Sequence, residues 1–282
     1  MNNNLVVVLS NKCPIFKICS SCGEYLRELG KVYELNQVCN SDESILDAQR
    51  CIYVHYYDKR LCFEDLSEKT MYTSVTPAEA IRKTLSYLHQ EASIFDDSSV
   101  ILHGSAISFN NVNILFLAPS KTGKSTLISY LLLSRLGQLI SEDMSILNVK
   151  TFRTPCIPRN VLLRPGGYNL ISKVCCTDQN KFTYLPNLEK YAFQPPTHNE
   201  KEVAIDWIIS LEREEGDVFP HLAVASPKIL VDNLYNTRNL LGSTMLCAGI
   251  SNGSKLFTLH YSDFSQVPLV LNRFFEQSRE IN

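Results

Sequence analysis

The segment APSKTGKST, residues 118–126, has the residue types of a phosphate-binding loop. Binding a triphosphate needs backbone N–H groups, a helix N-terminus and a point positive charge, all directed at phosphate oxygens. Gly123 lets the backbone approach closely, Lys124 is expected to reach the outer phosphates, and Ser125 is expected to ligate Mg²⁺. Ala118 stands where such loops usually begin with glycine, and we expect this one methyl group to weaken binding at most. The predicted nucleotide-binding residues are Ala118, Ser120, Lys121, Thr122, Gly123, Lys124, Ser125 and Thr126.

Two further sets of chemically active residues flank this loop in the sequence. His103 and Gly104 lie upstream, and Glu142 and Asp143 lie downstream within the apolar segment LISEDMSIL. Two adjacent acids inside an apolar strand are costly to bury unless a metal ion or a partner compensates their charge. One acid of the pair can therefore hold Mg²⁺ and the other can act as a general base, with His103 as an active-site neighbour. Together with the loop, these residues indicate an enzyme that acts on phosphate groups.

The pattern of elements around the loop is that of an α/β domain. SVILHGSAISF predicts one strand, Asn110 and Asn111 predict a turn, and VNILFLAP predicts a second strand antiparallel to the first. A helix is predicted through STLISYLLLSRL and is ended by Gly137, and QLISEDMSILNV predicts the returning strand. The loop thus lies between a strand and a helix, which is the context that a phosphate-binding loop requires.

The first 95 residues contain strand and helix signals but no catalytic constellation. Leu5–Leu9 and Cys51–Asp58 are rich in β-branched and aromatic residues, which predicts strands. Thr76 and Glu79 form the capping box of a following helix, with Pro77 at its first turn. We therefore expect a small α+β region, residues 1–95, followed by a catalytic domain, residues 96–282. An exposed strand edge in the first region is a candidate docking platform for an extended substrate peptide.

Composition and charge narrow the classes of function. The net charge of −2 and the pI of about 6.3 provide no global attraction for nucleic acid or for an acidic membrane. No segment approaches the roughly 20 apolar residues of a membrane-spanning helix and no export signal is evident, so we expect a cytoplasmic protein with reduced thiols. Cys19 and Cys22 have the spacing of one zinc knuckle, but no second knuckle follows, so free thiols are the favoured interpretation. The histidines, among them His221 and His260, are too scattered to predict a metal site, and LEREEGD predicts a solvated turn.

The order of histidine, phosphate loop and acid pair resembles the HPr kinase/phosphorylase family. The resemblance rests on LHGSAI, APSKTGKST and LISEDMSIL, within residues 99–148. It implies an α/β P-loop kinase domain of the HPr kinase type with a mixed sheet, which uses ATP and Mg²⁺ to phosphorylate a serine hydroxyl. By position, it implies that Glu142 is the general base and that His103 lies beside it. It also implies that Ser125 and Asp143 share the magnesium ion and that Lys124 neutralises the β and γ oxygens.

A weaker resemblance extends along the rest of the chain. PRNVLLRPGGYNLI, KFTYLPNL, VAIDWIISLERE and LFTLHYSDFSQV look like segments of the HPr-kinase-related proteins found with ribosomally made peptides, including lasso peptide kinases. Those enzymes modify a serine of the precursor peptide, which implies a peptide or small-protein substrate for this chain. Arg159, Arg164 and Lys181 are candidate cations for the transition state or the substrate.

Two departures from the family limit what the resemblance implies. The family usually has aspartate where Glu142 stands, so the carboxylate is displaced by one methylene group. The Arg-Gly-Leu-Gly signature of HPr kinase itself is missing, so neither the HPr substrate nor the reverse reaction is expected. A free-serine kinase on the same fold and a non-catalytic nucleotide-binding scaffold in peptide maturation are the alternatives. The choice between ATP and GTP, the identity of the acceptor and the formation of a homo-oligomer, as in the resembled kinases, stay open.

Overall fold

In a computed structural model, the chain forms two compact units. The first takes in Met1–Asp97, Ile157–Pro165 and Asn180–Gln194, and the second takes in Ser98–Cys156, Gly166–Gln179 and Pro195–Asn282. Residues 157–165 and 180–194 cluster with the first unit, whereas the sequence analysis assigned them to the catalytic domain. The predicted division into residues 1–95 and 96–282 stays a prediction. The structure describes residues 3–8, 15–20, 22–33, 50–57, 60–65, 70–74, 76–94, 98–157, 159–175, 178–234, 244, 246 and 255–280.

Among its described residues, the first unit combines a five-stranded sheet with two helices. Its elements are β1 (Asn3–Val8), β2 (Ile15–Ser20), α1 (Gly23–Val32), β3 (Arg50–Tyr57), β4 (Arg60–Asp65), β5 (Thr70–Ser74) and α2 (Pro77–Ile94), with a smaller sheet of β12 (Val161–Leu163), β13 (Thr183–Leu185) and β14 (Lys190–Phe193). The strands of the large sheet follow chain order from β1 to β5. β2 and β3 are parallel, and the other neighbouring pairs are antiparallel.

The predicted elements of this unit are present. The strands expected at Leu5–Leu9 and Cys51–Asp58 are confirmed as β1 and β3, although the last residue of each predicted strand lies outside the described residues. The predicted cap of α2 is confirmed as well, because the Glu79 N–H donates a hydrogen bond to Thr76 Oγ1 at 3.2 Å.

The second unit is built on a six-stranded mixed sheet. Its elements among the described residues are β6 (Ser99–Leu102), β7 (Gly104–Phe109), β8 (Val112–Leu117), α3 (Lys124–Leu133), β9 (Gly137–Ser141), β10 (Ser145–Asn148), β11 (Arg153–Pro155), α4 (Pro165–Val174), β15 (Glu202–Ala204), β16 (Trp207–Arg213), β17 (His221–Val224), α5 (Lys228–Asp232), β18 (Leu256–Tyr261) and α6 (Val267–Glu280), with a 3₁₀ helix at Phe264–Gln266. A further 3₁₀ helix, Gln179–Lys181, spans the boundary along the chain between the second unit and the first. The strand order of the main sheet is β17-β18-β16-β8-β7-β9. β8, β16 and β18 run parallel, and β7, β9 and β17 are antiparallel to their neighbours. The described chain is therefore α/β with a mixed sheet, as the sequence predicts.

Two predicted strands are each broken at a candidate site residue. SVILHGSAISF forms β6 and β7, which are separated by His103, and QLISEDMSILNV forms β9 and β10, which are separated by residues 142–144. β6 pairs with β10 in a small sheet of their own, so both segments leave the main sheet at the same place. Asp143 has a φ of 65°, in the left-handed region, and this backbone conformation prevents β9 from continuing. The prediction of two continuous strands was therefore wrong.

The hairpin and the helix after the loop are confirmed with one change of boundary. Asn110 and Asn111 have φ angles of 49° and 63°, as a two-residue hairpin turn between β7 and β8 requires. α3 ends at Leu133 rather than near Gly137, because Arg135 takes the left-handed conformation just after the helix, with a φ of 58°. Gly137 instead begins β9, where a Cβ would lie 2.8 Å from a carbonyl oxygen of β7.

The core of the second unit is an apolar cluster that includes inner strands of the main sheet. Its buried members are Val100, Leu102, Ala106, Leu115, Leu117, Ile140, Leu147, Val149, Val203, Ile205, Ile208, Leu230, Leu246 and Leu256. Trp207 packs edge-to-face against Phe257 of β18 and Phe274 of α6, with ring centroids 5.3 Å apart in both pairs. Among the helices that the structure describes, none has the length and apolar character needed to cross a bilayer. The cytoplasmic location stays a prediction.

Candidate active site

The phosphate-loop segment connects the end of β8 to the start of α3, as predicted. Gly123 has a φ of 97°, a conformation that side chains with a Cβ rarely adopt, and it directly precedes the helix. The Thr122 hydroxyl donates to the Pro119 carbonyl oxygen at 2.8 Å, which closes the turn within the loop. Ala118 is fully buried and is not among the described residues with a positive φ. Its position therefore does not require the conformational freedom of glycine, which supports the expectation that the loop tolerates alanine there.

Lys124 extends its ammonium group into the site from the first turn of α3. The residue is only 6% exposed, and its Nζ lies 3.8 Å from Oδ1 of Asp143. A buried ammonium group is costly unless anionic groups compensate it. The carboxylate of Asp143 contributes to this compensation.

Glu142 is buried behind the loop with both carboxylate oxygens engaged. The residue is 3% exposed. Its Oε2 accepts a hydrogen bond from the Ser105 hydroxyl at 2.7 Å, and its Oε1 accepts one from the Ser125 hydroxyl at 3.1 Å. The acid from the end of β9 and the serine from the first turn of α3 thus present two hard oxygen atoms side by side.

Asp143 lies on the more accessible side of the site. Its side chain is 46% exposed, and its Oδ1 lies 3.1 Å from Nε2 of His103. Its backbone N–H donates to the hydroxyl of Ser105 at 3.1 Å. Ser105 therefore holds both acids, one through the carboxylate of Glu142 and the other through the backbone of Asp143.

The structure pairs the acids with their partners in the opposite sense to the one that the resemblance implies. His103 contacts Asp143 rather than Glu142, and Ser125 contacts Glu142 rather than Asp143. β9 ends at Ser141, just before the two acids, and Asp143 has a left-handed backbone, so the two carboxylates leave the chain in different directions. The same five side chains meet in one site, namely His103, Lys124, Ser125, Glu142 and Asp143, and the roles expected of the two acids stay predictions.

Two site residues next to His103 have roles that the sequence did not indicate. A Cβ on Gly104 would lie 2.8 Å from the Phe116 carbonyl oxygen and 2.8 Å from Leu117 Cδ2, so only glycine allows β7 to approach β8 this closely. Ser105 is fully buried and supplies the hydroxyl that joins the two acids. The signal was present in the run HGS at the start of a strand, but a serine in a strand carries no mark of its partner.

A cavity of about 830 Å³ adjoins the loop. Its wall combines the loop residues Pro119, Lys121 and Thr122 with the ends of the parallel strands β16 and β18, among them Arg213. Open α/β sheets bind ligands at the carboxyl ends of their strands, and this volume is within the usual range of ligand sites. The Tyr261 hydroxyl donates to the Thr122 carbonyl oxygen at 3.4 Å, and burial raises the pKa of Tyr261 to about 12.

The end of β16 also brings together residues that the sequence analysis set aside. Glu212, Glu214 and His260 place one ligand atom each within 4.8 Å of one another. The rings of His221 and His260 are stacked, with centroids 4.9 Å apart. The expectation that these two histidines are scattered was wrong, because β17 pairs with β18. Of LEREEGD, residues 211–213 belong to β16, and the exposed residues 215–217 form the predicted solvated turn.

The three predicted accessory cations all belong to the first unit. Arg159 is 3% exposed, whereas Arg164 and Lys181 are exposed. Their roles in transfer or substrate binding stay predictions. Cys19 and Cys22, in the same unit, are buried and form no disulfide. In the part of the chain that the structure describes, neither cysteine belongs to a group of three potential metal ligands.

No family model and no curated protein matches this chain. Among solved structures, the chain is similar to the HPr(Ser) kinase/phosphatase from Coxiella burnetii, with 12% identity and a TM-score of 0.33. The alignment covers 64% of this chain and 95% of that one. This is a distant similarity, and at this TM-score it carries no argument about activity. The relation to peptide kinases stays a prediction.

Proposed function

We propose that this chain is an ATP- and Mg²⁺-dependent kinase of the HPr kinase type that phosphorylates a serine hydroxyl. The observation that carries the proposal is the contact between Ser125 and the buried Glu142, at 3.1 Å, beside the buried ammonium group of Lys124. P-loop enzymes hold Mg²⁺ with the loop serine or threonine and an acid from a neighbouring strand. Two hard oxygens at this separation suit Mg²⁺, which completes its shell with water and phosphate oxygens.

The residues of the loop bind and orient the triphosphate in this proposal. The backbone N–H groups at the start of α3 point towards the phosphates, and Lys124 compensates the charge on the outer oxygens. Mg²⁺ held by Ser125 and Glu142 would neutralise negative charge on the phosphate oxygens. The cavity beside Lys121 and Thr122 has the volume to take the nucleoside end of the same molecule.

Asp143, rather than Glu142, is the proposed general base. Glu142 is buried and both of its oxygens already accept hydrogen bonds, whereas the Asp143 side chain is 46% exposed and within reach of an acceptor. The proton of the acceptor serine passes to an Asp143 carboxylate oxygen, the serine oxygen bonds to the γ-phosphorus, and the bond to the β-phosphate oxygen breaks to release ADP. His103 orients this carboxylate by donating from Nε2.

We propose a serine of a ribosomally made precursor peptide, or of a small protein, as the acceptor. β1 and β5 are the edge strands of the five-stranded sheet in the first unit, and such an edge can add an extended peptide through backbone hydrogen bonds. Arg159, Arg164 and Lys181 of that unit are the proposed cations for the acceptor or the transferred group. Proline at Thr73 of β5 should then raise the KM for the acceptor and leave nucleotide affinity unchanged. A parallel loss of nucleotide affinity would count against docking at this edge.

Transfer of labelled γ-phosphate from ATP to a panel of acceptors tests the activity. The panel contains the precursor peptide encoded nearest the gene, the same peptide with its serines changed to alanine, free serine, and no acceptor. Label on the peptide that is lost with its serines supports the proposal. Label on free serine alone would assign the chain to small-molecule kinases, and tight ATP binding without label on any acceptor would favour a nucleotide-binding scaffold.

A further inference from the structure

Three adjacent strands carry a row of potential metal ligands at one edge of the main sheet. Glu212 of β16 is directly opposite His260 of β18, and His260 is directly opposite His221 of β17. Directly opposite residues on neighbouring strands project from the same face of a sheet. Glu214 follows β16 immediately and returns to the same place, because its backbone N–H donates to the Tyr261 carbonyl oxygen at 2.9 Å.

Glu212, Glu214 and His260 each place one ligand atom within 4.8 Å of the other two. Nδ1 of His260 lies 2.8 Å from Oε1 of Glu214 and 3.7 Å from Oε2 of Glu212. Nδ1 of His221 lies 3.3 Å from the Phe219 carbonyl oxygen, and its ring is parallel to that of His260 within 12°. The stack restricts the rotation of the His260 ring, so the imidazole faces the two carboxylates with a fixed orientation.

The local charge favours a cation at this point. The segment from Glu212 to Asp217 contains four acids and one arginine, Arg213. A single imidazole between two carboxylates balances at most one of their charges, and only when it is protonated. A divalent ion balances both. One nitrogen and two carboxylate oxygens form a donor set that suits Zn²⁺ and similar divalent transition metals, whereas Mg²⁺ and Ca²⁺ prefer oxygen donors alone.

We propose that Glu212, Glu214 and His260 form a binding site for a divalent transition metal, with Zn²⁺ as the best fit. The ion takes Nδ1 of His260, so the proton of that ring lies on Nε2, and His221 is a positioning residue rather than a ligand. Three protein ligands leave one tetrahedral position open. Because Glu212 and Glu214 both line the cavity beside the phosphate loop, a molecule in the cavity has access to that position. The site is separate from the Ser125 and Glu142 pair and does not depend on phosphate transfer.

Zinc titration of matched variants tests this site. The full-length reduced protein is titrated with Zn²⁺ in competition with a chromophoric chelator, without nucleotide. Glu214→Gln is compared with Glu215→Gln, which removes the same charge from the next residue. We expect Glu214→Gln to lower the affinity for one equivalent of zinc by at least about tenfold, since even the loss of a residue outside the ligand set lowers metal affinity by about that much. Glu215→Gln should bind zinc with the affinity of wild type. Equal titrations of the two variants would overturn the proposal.

Two further measurements keep the test decisive. The ten cysteines of the chain also bind zinc, so Co²⁺ spectra separate a nitrogen and oxygen site from thiolate sites by the missing sulfur charge-transfer band. The Co²⁺ spectrum of a site without thiolate ligands should be present in wild type and in the control variant His198→Gln, and lost in His260→Gln. Each variant is first shown to unfold like wild type in the absence of metal. Lys124→Ala should keep the spectrum. A spectrum that persists in His260→Gln would contradict the proposal even if the chain proves to be a kinase.

Discussion

Ser105→Ala is the change that most sharply tests how the acid pair is held. The Ser105 hydroxyl is fully buried, donates to Oε2 of Glu142 at 2.7 Å, and accepts from the Asp143 N–H at 3.1 Å. Alanine removes one oxygen atom and leaves the buried Glu142 carboxylate and the part-buried Asp143 N–H without this partner. The surrounding strand packing is otherwise unchanged, because the Cβ stays in place.

The size of the effect follows from the two hydrogen bonds. A hydrogen bond to a charged group contributes about 1.5–3 kcal/mol, and a neutral one about 0.5–1.5 kcal/mol. Burial of the Glu142 carboxylate prevents water from replacing the lost donor. We therefore expect Ser105→Ala to lower the free energy of unfolding of the second unit by about 2–4 kcal/mol, a large share of the roughly 5–15 kcal/mol typical of a domain.

Urea unfolding followed by tryptophan fluorescence measures this loss. The chain has a single tryptophan, Trp207, and it lies on β16 of the second unit, so its emission reports that unit alone. Ser108→Ala on the same strand is the matched control, because Ser108 is only partly buried. Equal midpoints for Ser105→Ala and Ser108→Ala would refute the reasoning that one buried hydroxyl holds both acids.

Three other changes test the geometry around the loop. Asp143→Asn should lower kcat about 10²–10⁴-fold and leave the Mg²⁺ concentration for half-maximal rate unchanged. Glu142→Gln should instead raise that Mg²⁺ concentration. The reverse pattern would support the roles that the family resemblance implies, with Glu142 as the base and Asp143 as the metal ligand. Gly104→Ala should cost about 1–3 kcal/mol in urea unfolding because its Cβ meets backbone at 2.8 Å, whereas Gly166→Ala, with nothing within 4 Å, should not destabilise the chain, and equal losses would contradict this. Burial raises the pKa of Tyr261 to about 12, so the stability contributed by its protonated hydroxyl is fully present below about pH 10 and is lost as the pH rises towards 12. Tyr261→Phe should therefore flatten the dependence of the free energy of unfolding on pH between about pH 10 and 12. A pH dependence identical to that of wild type would contradict this.

The sequence predicted the parts of the site that depend on neighbouring residues in the chain. The strand, loop and helix around Gly123 follow from local composition, and so does the hairpin turn at Asn110 and Asn111, because both asparagines tolerate positive φ. The mixed α/β class followed from the alternation of such elements. Tolerance of Ala118 is supported by its burial and by a backbone that needs no glycine there.

The features of the site that the sequence did not predict depend on contacts between segments that are distant in the chain. The sequence placed Glu142 and Asp143 in one continuous strand, and only the left-handed backbone at Asp143 determines which partner each carboxylate meets. Glu212 and His260 become neighbours only because β18 pairs in parallel with β16, and the two paired residues are 48 positions apart in the sequence. No local pattern in LEREEGD records that pairing. Side-chain partners of this kind follow from sheet order and not from spacing in the sequence.

Phosphate transfer by a matched pair of lysine variants tests the central claim most directly. Lys124→Ala removes the buried ammonium group at the loop, and Lys150→Ala removes an exposed lysine from the same unit. With γ-labelled ATP, Mg²⁺ and the precursor peptide, we predict serine labelling by wild type and Lys150→Ala, and a loss of about 10²-fold or more in Lys124→Ala. Labelling by Lys124→Ala at the wild-type rate, or ATP bound by wild type without label on any acceptor, would contradict the account.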